Sequence, residues 1–207
     1  AGQWPRVQME DGDCRLLAPR NPFCDPACNP GEYCDDTEDP AVCRIVPPGR
    51  NAGRMVLRGL SHRLELSAIA PSYNYSYTQL PYPGFTPGRV VHLYTGGGFF
   101  GAFELYGIGV DDVGTQPEKV VITRGSDLHL QWKAGSFDRA RRVFEISVDQ
   151  HGLEPLTLSC SFADTGEGVV PASVVNALLD AGVSGFPIGR MQARTEDSVQ
   201  LPAGCVD

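Results

Sequence analysis

The chain predicts a mainly β fold: an antiparallel β-sandwich, immunoglobulin-like or jelly-roll-like, with one short helix, preceded by a small disulfide-stapled unit. Three observations predict it. Apolar and polar residues alternate in at least six segments separated by glycine or proline turns, a single stretch has helical spacing, and five of the seven cysteines fall within residues 14–43. Period-two alternation puts apolar groups on one face of a strand and polar groups on the other, as in antiparallel sheets with one solvated face.

Residues 1–13 carry no periodicity, only Trp4, Pro5 and the acidic run Glu10-Asp11-Gly12-Asp13. They read as an N-terminal arm, with Trp4 either a docking anchor or part of a tucked-in terminus. Residues 14–48 hold five cysteines, many prolines and few large apolar groups, too little for a core of their own, so cross-links must hold them. The spacing Cys24-x3-Cys28-x5-Cys34-x8-Cys43 contains no CxxC and has no nearby histidine, which favours disulfides over metal. The interleaved pairing Cys24 with Cys34 and Cys28 with Cys43 is expected, although spacing alone leaves the other pairings open. Cys14 is then left over, to stay free, to reach Cys160 or Cys205, or to bridge to another chain.

Pro47 to Gly53 reads as a linker, and residues 54–207 as the sandwich. Leu64, Leu66 and Ala68 alternate with Glu65 and Ser67; Val91 and Leu93 with His92 and Tyr94; Phe103 and Leu105 with Glu104 and Tyr106. Leu128, Leu130 and Trp132 follow the same rule, as do Phe144, Ile146 and Val148. The stretch from Leu156 to Gly182 organises the rest. Leu156, Leu158, Cys160 and Phe162 make a half-buried strand, residues 163–170 a glycine-containing loop, and Pro171 a helix start. Val174, Val175, Leu178 and Leu179 then share one helical face before Gly182 ends it. Residues 188–201 add one or two strands. A Cys160–Cys205 bridge is expected to pin the C-terminus, worth about 4 kcal/mol by loop closure, with Cys14 bonded to one of the two as its rival.

The formal net charge of -8, with 15 arginines and only Lys119 and Lys133 as lysines, argues against nucleic acid and anionic lipid as partners. No run of 18 apolar residues suggests a transmembrane helix. A start at Ala1-Gly2-Gln3 is that expected of a mature chain whose export signal has been removed, and the cysteines point the same way: export to a periplasm, cell surface or extracellular space.

Motifs for catalysis are sparse. Asp164-Thr165-Gly166 matches the aspartic-protease tripeptide, but only one copy is present and Glu167 stands where a small residue belongs. Such enzymes need two carboxylates sharing a proton, so an Asp capping a turn is the simpler reading. His62, His92, His129 and His151 show no metal-ligand spacing. Asp35, Asp36 and Asp39 are weak Ca²⁺ candidates in a loop that matches no known cage. Gly96-Gly97-Gly98 lacks a following helix and reads as a loop or bulge rather than a phosphate cradle. No nucleophile can be nominated, no cofactor is implied, and an enzyme is not expected. Tyr73, Tyr75, Tyr77, Tyr82 and Phe85, broken by prolines, form the best candidate binding surface, since tyrosine gives large contact area at small entropic cost.

From Phe99 to Cys205 the chain resembles a group of uncharacterised exported β-sandwich proteins and lipoproteins of myxobacteria and their relatives. The residues that carry this are GGFFGAFELYGIGV, VVITRGSDLHLQWKAG, LSCSFADTGEGVVPASVVNALL and IGRMQARTEDSVQL, with a cysteine-rich CDPACNPGEYC ahead of them. The resemblance implies an exported β-sandwich and no activity. The resulting expectation is a structural or interaction protein that contacts other copies of itself or an envelope protein through the arm and strand edges. The alternative is a glycan- or ligand-binding module using residues 73–85.

Overall fold

The computed structural model describes residues 5–21, 23–77, 79, 82–114, 119–148, 155–182 and 187–207. The fold is mainly β and antiparallel, with one helix. In chain order, β1 (Arg6–Asp11) and β2 (Cys14–Ala18) form a hairpin that turns at Gly12, whose φ of 58° suits a residue without Cβ. The ribbon of β3 (Glu32–Asp35) and β4 (Val42–Ile45) follows. Next come β5 (Met55–Arg58), β6 (Leu64–Leu66), β7 (Val90–Thr95) and β8 (Phe103–Ile108). After these lie β9 (Leu128–Gln131), β10 (Arg141–Val148), β11 (Leu156–Ala163), β12 (Glu167–Val170) and α1 (Ala172–Asp180). The chain closes with β13 (Ile188–Arg194), β14 (Val199–Leu201) and β15 (Gly204–Val206).

Five strands form one sheet in the order β1-β2-β11-β10-β13, and four form another in the order β6-β5-β7-β8; β9–β12, β14–β15 and β3–β4 are two-stranded. Register explains the main core. Phe144 lies opposite Cys160, Ile146 opposite Leu158 and Val148 opposite Leu156, while Leu16 and Cys14 continue the same rows on β2. These groups meet Leu130 of β9, Val170 of β12 and Val174, Val175 and Leu178 of α1 in one buried cluster. The layer facing the large sheet is therefore the helix together with the β9–β12 ribbon.

Helix α1 starts at Pro171 as expected, but Pro171 offers no side-chain cap. Asp127, from another segment, accepts the Ala172 N–H at 2.7 Å, and Asn176 accepts the Gly125 N–H at 2.8 Å. The macrodipole favours a carboxylate at that end. Gly182, at φ 85°, follows the last turn.

Three expectations need correction. Residues 6–11 are not a loose arm but the edge strand β1, so the appendage begins after Ala18 rather than at Cys14. Cys14, Leu16 and Ala18 alternate onto the core face and are 0–2% exposed, a pattern masked in the sequence by the neighbouring cysteine cluster. The loop drawn over residues 163–170 contains β12, where Gly168 lets the strand lie on the Phe162 ring: a Cβ there would sit 2.7 Å from it. The third concerns the cysteines. Cys14 bonds Cys160, its direct partner across β2 and β11, and Cys205 is free and exposed. The pairs Cys24–Cys34 and Cys28–Cys43 are as expected. Three disulfides fit an oxidising compartment. No described helix is long and apolar enough to cross a membrane.

Candidate interaction surfaces

The large sheet presents two backbone edges. Among the described residues no strand pairs with the outer side of β1 or of β13. Every pairing from β1 through β2, β11 and β10 to β13 is antiparallel, so the two outermost strands run in the same direction. Their charges differ. β1 begins with Arg6 but ends in Glu10 and Asp11, followed by Asp13, whereas β13 carries Arg190 and Arg194. Glu10 pairs only locally with Arg15 at 3.2 Å, and Arg194 with Glu196 at 2.8 Å, both at the surface. Beside β13 a hollow of about 600 Å³ opens between that strand, residues 119–122 and β9, with Phe144 and Ile146 at its base.

The four-stranded sheet is treated differently. Its edge strand β8 is strapped by residues 195–197: Asp197 accepts the Tyr106 N–H at 2.7 Å, and the Thr195 hydroxyl accepts the Ile108 N–H and lies 3.2 Å from the Ile108 carbonyl oxygen. Its opposite edge, β6, has three residues and is flanked by ion pairs of Glu65 with Arg54 and Arg63. On the outer face His92 stacks on Tyr106 with ring centroids 4.5 Å apart. The Tyr106 hydroxyl donates to Glu104 at 2.5 Å, and His92 Nε2 lies 3.3 Å from the same carboxylate but out of line for a hydrogen bond. The tyrosine's hydrogen bond, helped by the imidazole, holds the Glu104 carboxyl below its ordinary range and pushes the phenol up.

The aromatic segment is only partly a surface. Tyr77, Tyr82 and Phe85 are exposed, with Tyr82 98% exposed, while Tyr73 and Tyr75 are half-buried. The Tyr75 hydroxyl donates to the Gly53 carbonyl at 2.6 Å and accepts the Ala52 N–H, which fixes the linker rather than a ligand. Tyr77 pairs with His62, hydroxyl to Nε2 at 3.1 Å. Trp4 and His151 lie outside the described residues. The glycine run 96–98 packs against that linker, where a Cβ on Gly98 would sit 2.4 Å from the Asn51 carbonyl oxygen.

The Ca²⁺ candidates are engaged with cations or turns. Asp35 takes the Thr37 hydroxyl at 2.5 Å and Arg44 at 2.6 Å; Asp36 takes Arg20 at 2.8 Å and the Asn21 N–H. Those hydrogen bonds, Thr37's foremost for Asp35 and Arg20's for Asp36, lower both carboxyl pKa values, and Asp39 is exposed. The Sγ atoms of Cys24, Cys28 and Cys43 are the single metal-sized cluster among the described residues, and disulfide bonding leaves them no thiolate to offer.

Sequence reasoning missed one buried cluster. Arg142, fully buried, donates from Nε to Asp164 at 2.8 Å, and Trp132 Nε1 donates to the same oxygen at 2.9 Å. Asp164 therefore serves an arginine inside the fold, neither capping a turn nor facing a second carboxylate. Gly135 makes room for it, since a Cβ there would meet Asp164 Oδ2 at 2.0 Å. The signal was present: Arg142 is two residues before Phe144, so the alternation places it on the core face. No family model, no curated protein and no solved structure matches the chain.

Proposed function

We propose that the protein is an exported interaction protein that assembles with copies of itself by joining five-stranded sheets edge to edge. The observation that carries this is that one sheet ends in two open strands, β1 and β13, that run in the same direction, with carboxylates at the end of β1 and an arginine at the end of β13. Unpaired strand edges add further strands readily. A copy displaced without rotation sets β1 parallel to a neighbour's β13, and with Arg6 beside Ile188 the pair Glu10 and Asp11 comes to the Arg194 end. Such a contact is heterologous and extends without closing. Two β13 strands meeting about a two-fold axis would instead bring arginines together.

Light scattering on the native protein tests this, with Glu10→Lys, Arg194→Glu and the two combined. The wild type forms species larger than a monomer, each single reversal returns it toward the monomer, and the combination restores assembly. A wild type that remains monomeric at high concentration and low salt overturns the reading.

A further inference from the structure

The apolar side of the four-stranded sheet holds a second surface that edge assembly leaves unused. Leu57, Leu93 and Leu105 lie in one row across β5, β7 and β8, and Val91 faces Gly107 in the adjacent row. In the large sheet the corresponding rows are sealed; here the four side chains are only half-buried. They floor a groove of about 770 Å³ whose wall is residues 195–198 and Asp207, within the usual range of roughly 300–1,000 Å³ for binding pockets. The missing side chain at Gly107 deepens it beside Thr195.

The wall is fixed. Thr195 and Asp197 are hydrogen-bonded to the β8 backbone, so the groove keeps its shape without an occupant. Its lining includes three carboxylates, Glu196, Asp197 and Asp207, and no cation. Arg194 offsets part of the Glu196 charge, and the Cys205 thiol donates to Asp207 at 3.3 Å. An apolar floor beside three carboxylates selects an occupant that is apolar at one point and positive at several neighbouring points. A peptide supplies several cations, whereas a single-headed amine supplies one.

We propose that this groove binds a basic peptide segment of a partner protein. A large apolar side chain seats on Leu57, Leu93 and Leu105, and lysines or arginines on either side meet Glu196, Asp197 and Asp207. Charge complementarity of this kind speeds encounter and makes binding sensitive to salt.

Fluorescence anisotropy on the full chain tests it, using a labelled six-residue peptide of alternating leucine and lysine, its leucine–glutamate counterpart, and dodecylamine as competitor. The basic peptide binds saturably and more weakly as salt rises, the acidic one does not bind, and the amine fails to displace the peptide. Glu196→Gln with Asp207→Asn, both outside the β8 hydrogen bonds, weakens binding at least tenfold while circular dichroism stays unchanged. Equal binding of the acidic peptide, an unaffected double variant, or displacement by the amine overturns the proposal. So does loss of self-assembly in the double variant, which would assign the groove to a second copy; the edge variant Glu10→Lys, whose ion pair is with Arg15 and not with a groove residue, reports on assembly separately.

Discussion

Leu158 and Leu93 both face inward from the middle of paired strands, yet Leu158 is 1% exposed and Leu93 is only half-buried. The difference belongs to their sheets. The five-stranded sheet has its apolar face sealed by α1 and the β9–β12 ribbon and leaves its two edges bare. The four-stranded sheet has its β8 edge strapped by Thr195 and Asp197 and leaves its apolar face half-open. Each sheet thus satisfies one of the two demands a sheet makes, burial of its side chains and pairing of its backbone, and exposes the other. What is exposed is what a partner can use: backbone pairing at one sheet, side-chain burial at the other.

The comparison breaks most visibly if the sealed sheet is untied. Cys14–Cys160 closes a loop across a sequence separation of 146 residues, worth about 5 kcal/mol in the chain-entropy account. Replacing both cysteines by alanine should lower the denaturation midpoint more than any change in the four-stranded sheet, read by urea unfolding. An unchanged midpoint would mean that the tie does not hold the core. Next in size is the buried ion pair. Asp164→Ala leaves the Arg142 charge without its carboxylate, at a cost of about 3–5 kcal/mol. Arg142→Met together with Asp164→Ala should recover part of that loss, which the same unfolding curves would show.

A matched pair of truncations sharpens the contrast directly. Leu158→Ala should cost about 3–4 kcal/mol, because the sealed core cannot collapse around the cavity. Leu93→Ala removes a group that water already reaches and should cost about 1–2 kcal/mol on area grounds. Equal costs would show that the four-stranded face is buried after all. Smaller again is Asp197→Ala, which gives up one hydrogen bond to an edge amide, about 1 kcal/mol. Its clearer readout is faster hydrogen exchange at the Tyr106 amide.

Much of this architecture is legible in the residues. Alternation located β7, β8, β10 and β11, helical spacing located α1, and the favoured interleaved pairing of the stapled unit, which spacing alone left open, is the one the structure has. Failures have physical causes. β1 and β2 lay beside the disulfide unit, so five cysteines in a row suggested one module, whereas Cys14 belongs to a strand that long-range pairing places against Cys160. Pairing across so many residues is decided by tertiary register, which local pattern does not encode. Asp164 looked like a turn residue because its partners, Trp132 and Arg142, are remote in sequence. Exposed edges were expected, but which strands form them, and the groove, could not be read, since an edge is defined by which strand is absent beside it.

The smallest expected effect concerns the hairpin that carries the strap, and it also checks the disulfide set. Cys205 is the one free cysteine, exposed in β15, while Cys14 is 0% exposed. A thiol titration of the native protein should therefore find one reactive group per chain without denaturant; a thiol that reacts only after unfolding would point back to Cys14. The reaction should also be slow. The hydrogen bond to Asp207 raises the Cys205 thiol above its ordinary pKa of 9.0, with burial adding to it, so less thiolate is present at any pH below that range. Because the thiolate is the nucleophile, the alkylation rate should climb with pH through the raised value rather than level off near 9. Asp207→Asn removes the carboxylate that stabilises the protonated form, so the profile should move to lower pH and the rate at pH 8 should rise. An unmoved profile would show that the thiol and the Asp207 carboxylate are not paired in solution, and that the acidic wall is looser at its end than at Asp197, where the β8 backbone holds it.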